Sequence, residues 1–298
     1  MKNKFKYEIK ESDEGLQIKE LLRRNYGFSS RLMRRFKVVG GVSLNGQPVK
    51  LYHKGNAGDV ISVRLPEEKS DFEPQDIPIC AAYEDEDLLV VNKQPGFVVH
   101  PTKGHPNHTI ANGIMKYMLE REEQYKIRFI NRLDMDTSGL LIVAKNSHCQ
   151  DDLSKQMAKN AVVKKYVAVV HGTFDEDDGM IDLPIGRVSE DHVIRGVMEN
   201  GYPSVTRYRV LERFAEHSFL ELQLETGRTH QIRVHMSYIG HPLVSDALYG
   251  KEEAEFIERQ ALHAAYLSFR HPVNGDLLKI EAPLPKDILD LLGKLREK

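Results

Sequence analysis

The chain has 298 residues, of which 41% are hydrophobic, enough to bury the core of a large domain plus a smaller one and too many for global disorder. Two cysteines, Cys80 and Cys149, cannot form a secreted disulfide framework, the opening MKNKFKYEIKESDEG lacks the apolar stretch of a signal peptide, and no run reaches the length of a membrane span; a cytoplasmic protein without membrane contact is expected. The net charge of −2 hides an asymmetry: residues 1–70 carry 15 Lys and Arg against 8 Asp and Glu, while the rest of the chain is acidic, so the first seventy residues are suited to meet a polyanion.

In chain order, Leu16, Leu21 and Leu22 recur at helical spacing in EGLQIKELLRRN, and GFSS breaks the pattern. Ser29 or Ser30 can then cap a second short helix, RLMRRFK, on which Arg31, Arg34 and Arg35 share a face. Asn45-Gly46 is a type I′ hairpin signal between strand-like flanks, and GDVISVRLP supplies a further strand. Residues 13–66 thereby resemble the RNA-binding domain named after ribosomal small-subunit protein S-four, which implies RNA contacts at Arg31, Arg34 and Arg35. The polar segment PEEKSDFEPQDIP (66–78), with its three prolines, reads as a linker.

Residues 79–298 read as one long domain. LLVVNK (88–93) is a buried strand, HTIANGIMKYMLERE an amphipathic helix, GLLIVAK (139–145) another buried strand, and Ser147 can cap the helix HCQDDLSKQMAKN. VVKKYVAVV, SVTRYRVLERF and HSFLELQLE follow as strands. TGRTHQIRVHMSYIG reads as a helix opened by Thr226 or Thr229, before the strand LLKIEAP and the helix KDILDLLGKLREK. Helices scattered among many strands, without a regular βαβ rhythm, predict an α+β fold around a mixed, largely antiparallel sheet.

The densest chemistry stands in NRLDMDTSGLL (131–141), a polar loop directly before a strand too apolar to lie outside the core. Carboxylates at such a place need partners, or they neutralise. Arg132 is one candidate partner of Asp134, and Thr137 and Ser138 can bond the turn locally. Taken alone, the loop fits a structural turn, a D-x-D cation site, or a carboxylate nucleophile. No further carboxylate or histidine nearby completes a hard-cation shell. The histidines of the 224–250 segment, His230 and His235, are five apart, off the i, i+4 spacing of two helical ligands. His100, His105 and His108 sit among Pro and Gly, and no metal is assigned to any of these.

NRLDMDTSGLL resembles the R-L-D-x-x-T-S-G-L-L signature of pseudouridine synthases, specifically the Rlu-type family that modifies large-subunit ribosomal RNA and some transfer RNAs. VVNKQPGFVVHP (90–101), KKYVAVVHG (164–172), LETGRTHQIRVHMSYIGHPLVSDALYG (224–250), LHAAYLSFRHP and APLP match further blocks of that family in order. One departure stands out: Asn131 takes the place of the histidine usual before the arginine.

The resemblance implies isomerisation of uridine to pseudouridine. The bond from base nitrogen to anomeric carbon breaks, the base turns and rejoins through carbon 5, and that carbon loses its proton. Nothing is oxidised and no energy donor is consumed, so no cofactor is implied. By the same resemblance Asp134 is the catalytic carboxylate, Tyr166 packs on the flipped base and its hydroxyl helps deprotonate carbon 5, and Arg228 pairs with Asp134 to keep it ionised. Arg132 fills the space that the base leaves, and His230 and Gln231 are further RNA contacts. The expected partner is RNA, ribosomal in preference to transfer RNA, and the fold does not require more than one chain. Two rival readings are a silent ribosome-associated RNA-binding protein and a hydrolase built on Ser138, the latter without a G-x-S-x-G elbow.

Overall fold

The computed structural model describes residues 5–188 and 194–297. Near the N-terminus, helices Ile18–Tyr26 and Ser30–Val39 share one core with a four-stranded sheet ordered Phe5–Glu8, Val60–Val63, Val42–Leu44 and Gln47–Pro48. Ser29 caps the second helix, its Oγ accepting the Leu32 N–H at 3.3 Å. Asn45 and Gly46 take φ of 49° and 83°, the pair of positive values that a type I′ turn requires. The strand Phe5–Glu8 lies ahead of residue 13, where the sequence pattern starts this module. Four residues with two charges show too little alternation to be read, and tertiary pairing with Val60–Val63 makes the strand.

Residues 66–78 carry no helix or strand, yet they are fastened along the larger body. Glu68 pairs with Arg35 and with buried Arg128, the Ser70 hydroxyl accepts the Ile127 N–H at 2.9 Å, the Glu73 carbonyl accepts from Asn112, and Ile77 is buried. A freely jointed linker, as its composition suggests, would make none of these bonds. The two bodies also meet where the rings of Phe5 and Phe28 stand edge-on to the His148 imidazole, at 5.2 and 5.0 Å.

The larger body is built on a ten-stranded sheet. Its main path runs Asp178–Asp182, Val205–Arg213, His217–Leu224, Val163–His171, Leu262–Arg270, Ser138–Ala144, Leu88–Lys93 and Ala81–Glu84, with Leu277–Glu281 and Arg128–Phe129 as side branches. Among the described residues only the contact between Leu262–Arg270 and Ser138–Ala144 is parallel, so the sheet is mixed and largely antiparallel. Side chains alternate between its faces. Leu89, Val91, Leu141 and Val143 pack with residues of helices Ile110–Glu120 and Gln231–Tyr238. Leu88, Val90, Leu140 and Ile142 pack with Cys149 and Leu153 of helix Ser147–Ala158 on the other face. Cover on both faces is why all of Ser138–Ala144 is buried and why residues 140–144 read as an unbroken apolar run.

Gly139 is fixed by this topology. It has φ 110°, and a Cβ there would stand 2.2 Å from the Ala264 carbonyl oxygen. The strand Leu262–Arg270 thus reaches the mouth of Ser138–Ala144, where the polar loop begins.

Candidate active site

The loop 130–137 is held as a rigid shelf. Asn131 works as an extra strand residue: its Nδ2 donates to the Leu140 carbonyl at 3.1 Å, and its Oδ1 accepts the Ile142 N–H at 2.8 Å. An amide carries donor and acceptor on one short side chain, which is what this bridge uses. Lys93, 1% exposed, donates from Nζ to the carbonyls of Met135 (2.7 Å), Gln94 and Phe97. Arg259 donates to the Asp136 carbonyl at 3.0 Å, and the Thr137 N–H bonds the Asp134 carbonyl. The backbone around Asp134 is thereby bonded from several sides.

Burial pushes the Lys93 ammonium down to about 7, with Arg259 adding to the effect and the charges of Asp136 and Asp134 opposing it. Between pH 7 and its ordinary value of 10.5 the unfolded chain holds a proton here that the folded chain has released. Stability should therefore rise with pH across that window and be flat in this respect below it. Urea midpoints of the wild type and Lys93→Met at pH 6.5 to 9 should diverge, with the wild type gaining relative to the variant as pH rises. Parallel curves would count against a buried, titrating Lys93.

The Asp134 carboxylate faces a small pocket, of about 60 Å³, lined by Arg132, Tyr166, Arg228, His230 and Arg233 among others. Its bonded partner is Arg233, whose Nη1 lies 3.1 Å from Oδ2. Arg233 in turn forks onto fully buried Asp246 at 2.7 and 2.8 Å, and the Asp246 carboxylate also accepts the N–H groups of Leu248 and Tyr249. Burial works against the Arg233 charge, but the bonds to Asp246 and Asp134 outweigh it and hold its pKa above the ordinary guanidinium value. The arginine is thus a fixed cation shared by two carboxylates.

Arg228, the partner expected from the sequence, lines the same pocket but makes no bond to Asp134 among the described residues. It is exposed, its Nε donates to the Pro203 carbonyl at 3.3 Å, and its guanidinium lies 5.3 Å from the centre of the Tyr202 ring. The reason is the start of the helix. Neither Thr226 nor Thr229 opens it; it runs Gln231–Tyr238 after His230, which takes a left-handed φ of 58°. That kink leaves Arg228 outside the helix and turns Arg233 inward.

Gln231, expected to touch RNA, is 2% exposed and fully bonded inside the protein. Its Oε1 accepts from the Thr226 hydroxyl and the Arg228 N–H, and its Nε2 donates to the Val205 carbonyl and the Thr206 hydroxyl. An amide has no further hydrogens to offer. His230 does face the site, with Nε2 3.9 Å from Asp134 Oδ1 and Nδ1 2.8 Å from the Tyr249 hydroxyl. That hydroxyl also accepts the Arg195 N–H at 2.9 Å. Burial, with help from Arg233 and Arg195, holds the ring below its ordinary pKa against the pull of Asp134.

Tyr166 lines the same pocket and is 8% exposed; burial and the Asp134 charge both push its phenol above the ordinary range. Arg132 is exposed and, among the described residues, makes no ion pair. Asp136 lines a separate cleft with Arg259 and Asp287, so the two aspartates of D-x-D do not converge on one cavity. Ser138 Oγ does lie 2.9 Å from His263 Nδ1, but both residues are buried and Arg259 also donates to the hydroxyl, so the pair is a bonded piece of the core.

The family described as RNA pseudouridylate synthase matches residues 87–238, a span that holds Asp134, Tyr166 and Arg233. The chain belongs to this family of RNA pseudouridine synthases. It is 46% identical over 264 residues to a Bacillus subtilis protein named as the uncharacterized RNA pseudouridine synthase YlyB, covering 87% of this chain and 86% of the relative. The ribosomal large subunit pseudouridine synthase D of Vibrio cholerae is 39% identical over 305 residues, covering 97% and 94%. Among solved structures, human RNA pseudouridylate synthase domain containing 1 superposes with a TM-score of 0.57 at 28% identity, over 74% of this chain and 96% of that one. In a pseudouridine synthase, a carboxylate beside an imidazole and a buried guanidinium can act on a glycosidic bond. Sequence reasoning missed Arg233, Asp246, Lys93 and Arg259. All four are charged residues with little exposure or in apolar company, and a charge inside a core segment asks for a partner.

Proposed function

We propose that this pseudouridine synthase modifies uridines of large-subunit ribosomal RNA, with Asp134 as the carboxylate that acts on the nucleoside. The observation that carries the reading is the pairing of Asp134 with Arg233 at the wall of a pocket lined by Tyr166 and Arg132. A cavity of about 60 Å³ is far below the roughly 300 Å³ at which small-molecule pockets begin. A uracil ring therefore enters only if a wall moves, and Arg132, exposed and without an ion-pair partner among the described residues, is the wall free to do so. The flipped base then packs on Tyr166, and Arg132 turns into the space left in the RNA, offsetting an unstacking cost of a few kcal/mol. The N-terminal module, with helices, hairpin and basic charge of the S-four type, holds the RNA nearby.

Arg228 sits at the pocket rim as a contact for the nucleotide. Arg228→Met should raise KM several-fold and leave the pH–rate profile in place, because Arg233 holds Asp134. A displaced acid limb would return Arg228 to the role of counter-charge. The ribosomal preference rests on the names of the relatives. It is tested by mapping pseudouridines in ribosomal and transfer RNA from cells lacking the gene, then restoring them with purified protein. Loss at large-subunit positions is expected; loss confined to transfer RNA would overturn the ribosomal reading and leave the isomerase reading intact.

A further inference from the structure

A cleft beside the active site lies between the N-terminal module and the body, with a volume of about 580 Å³. One wall carries Arg31 and Arg35 of helix Ser30–Val39, and the other carries Lys126, Arg128, Phe129 and Arg132. Its charge is not evenly spent. Glu68 is shared between Arg35 and Arg128, one from each body. Arg31, Lys126 and Arg132 are exposed and make no ion pair among the described residues. Between them sits an aromatic surface: the His100 and Phe129 rings, both on the cleft wall, lie 6.2 Å apart and 30° from parallel. Arg132 also lines the Asp134 pocket, so the cleft and that pocket adjoin at this side chain.

We propose that this cleft is a binding site for the single-stranded RNA flanking the target uridine on one side, gripped by both bodies at once. Unpaired cations on facing walls with aromatic rings between them are the means by which proteins hold single strands: phosphates meet the charges and bases stack on the rings. A nucleotide drawn into the Asp134 pocket fixes where its neighbours go. On the Arg132 side they have this cleft to enter. Arg34, grouped with Arg31 and Arg35 in the sequence, is exposed on the same helix but is absent from the cleft wall, so the helix contributes Arg31 as its free cation there. The proposal rests on the isomerase reading for its direction, since that reading says which pocket the nucleotide occupies.

The test is binding of a labelled oligouridylate of about 12 nucleotides to the full-length protein across a salt series. Arg31→Glu and Lys126→Glu should each weaken binding about tenfold or more and make the slope of log affinity against log salt shallower by about 0.7. Lys37→Glu, an equal charge change on an exposed position of the same helix outside the cleft, should leave both unchanged. His100→Ala with Phe129→Ala should weaken binding without changing the slope, as stacking releases no counterions. Equal losses for Arg31→Glu and Lys37→Glu would overturn the proposal in favour of diffuse charge attraction. Displacement of the RNA by polyglutamate of matched charge would overturn it in favour of an acidic protein partner. Binding is read without turnover, so a protein that binds as described but forms no pseudouridine would contradict the isomerase reading and leave the cleft standing.

Discussion

Asp134→Asn should fold, bind RNA as the wild type does, and lose turnover by at least a thousandfold, about 4 kcal/mol of barrier. The replacement keeps the shape of the side chain, and the amide oxygen can still accept from Arg233 Nη1 at the observed position. The shelf does not depend on the carboxylate, since Lys93, Arg259 and Asn131 bond the loop through the Met135 and Asp136 carbonyls and through Leu140 and Ile142. Asp134 is also part-exposed, so removing its charge strands nothing in the core beyond one of the three contacts of Arg233. Thermal melting, filter binding and single-turnover product formation separate the three properties. Asp136→Asn, on the other cleft, should be mild in all of them. Comparable loss of turnover in both variants would require a paired-carboxylate site that the geometry does not provide.

Arg233→Met should be the most damaging single change to the protein as a whole. It leaves Asp246, fully buried, without its cation, a defect that costs about 3–5 kcal/mol. For a domain of this size that lowers the melting temperature by about 10 °C. Restoring the fold separates the two duties of the arginine. In Arg233→Met/Asp246→Asn the buried charge is gone and the amide oxygen can still accept from Leu248 and Tyr249, so stability should largely return. Turnover should not return, because Asp134 still lacks its cation. Arg233→Lys should keep a charge but lose the fork that serves both carboxylates, and so fall between the two. Recovery of activity together with stability in the double variant would reduce Arg233 to a packing role.

The strands and helices that position the site were legible because their apolar pattern is dictated by local burial. Residues 88–91 and 140–144 are covered on both faces and read as continuous apolar runs. The Asn45-Gly46 turn could be read because few residues tolerate two positive φ values in succession. What could not be read are contacts set by tertiary geometry. Arg228 and Arg233 stand five residues apart in one motif, and the left-handed turn at His230 decides which of them faces Asp134. A histidine in that conformation leaves no mark in composition or periodicity. Gln231 looks like a polar contact residue until its four bonds inside the protein are counted. The segment 66–78 has the composition of a linker, and its fastening depends on Arg128, Asn112 and Lys116 far along the chain. The short ribbon Ile185–Arg187 and Arg195–Val197 likewise has too few residues for a periodic signal.

We propose that Asp134, bonded to Arg233, breaks and remakes the glycosidic bond of uridine. It is tested most directly by release of tritium from RNA labelled at carbon 5 of uridine, with wild type, Asp134→Asn and Arg228→Met compared at saturating RNA. The wild type and Arg228→Met should release tritium in step with pseudouridine formed, and Asp134→Asn should release none above the uncatalysed background. Release by Asp134→Asn at the wild-type rate, or none from the wild type on ribosomal or transfer RNA, would contradict it.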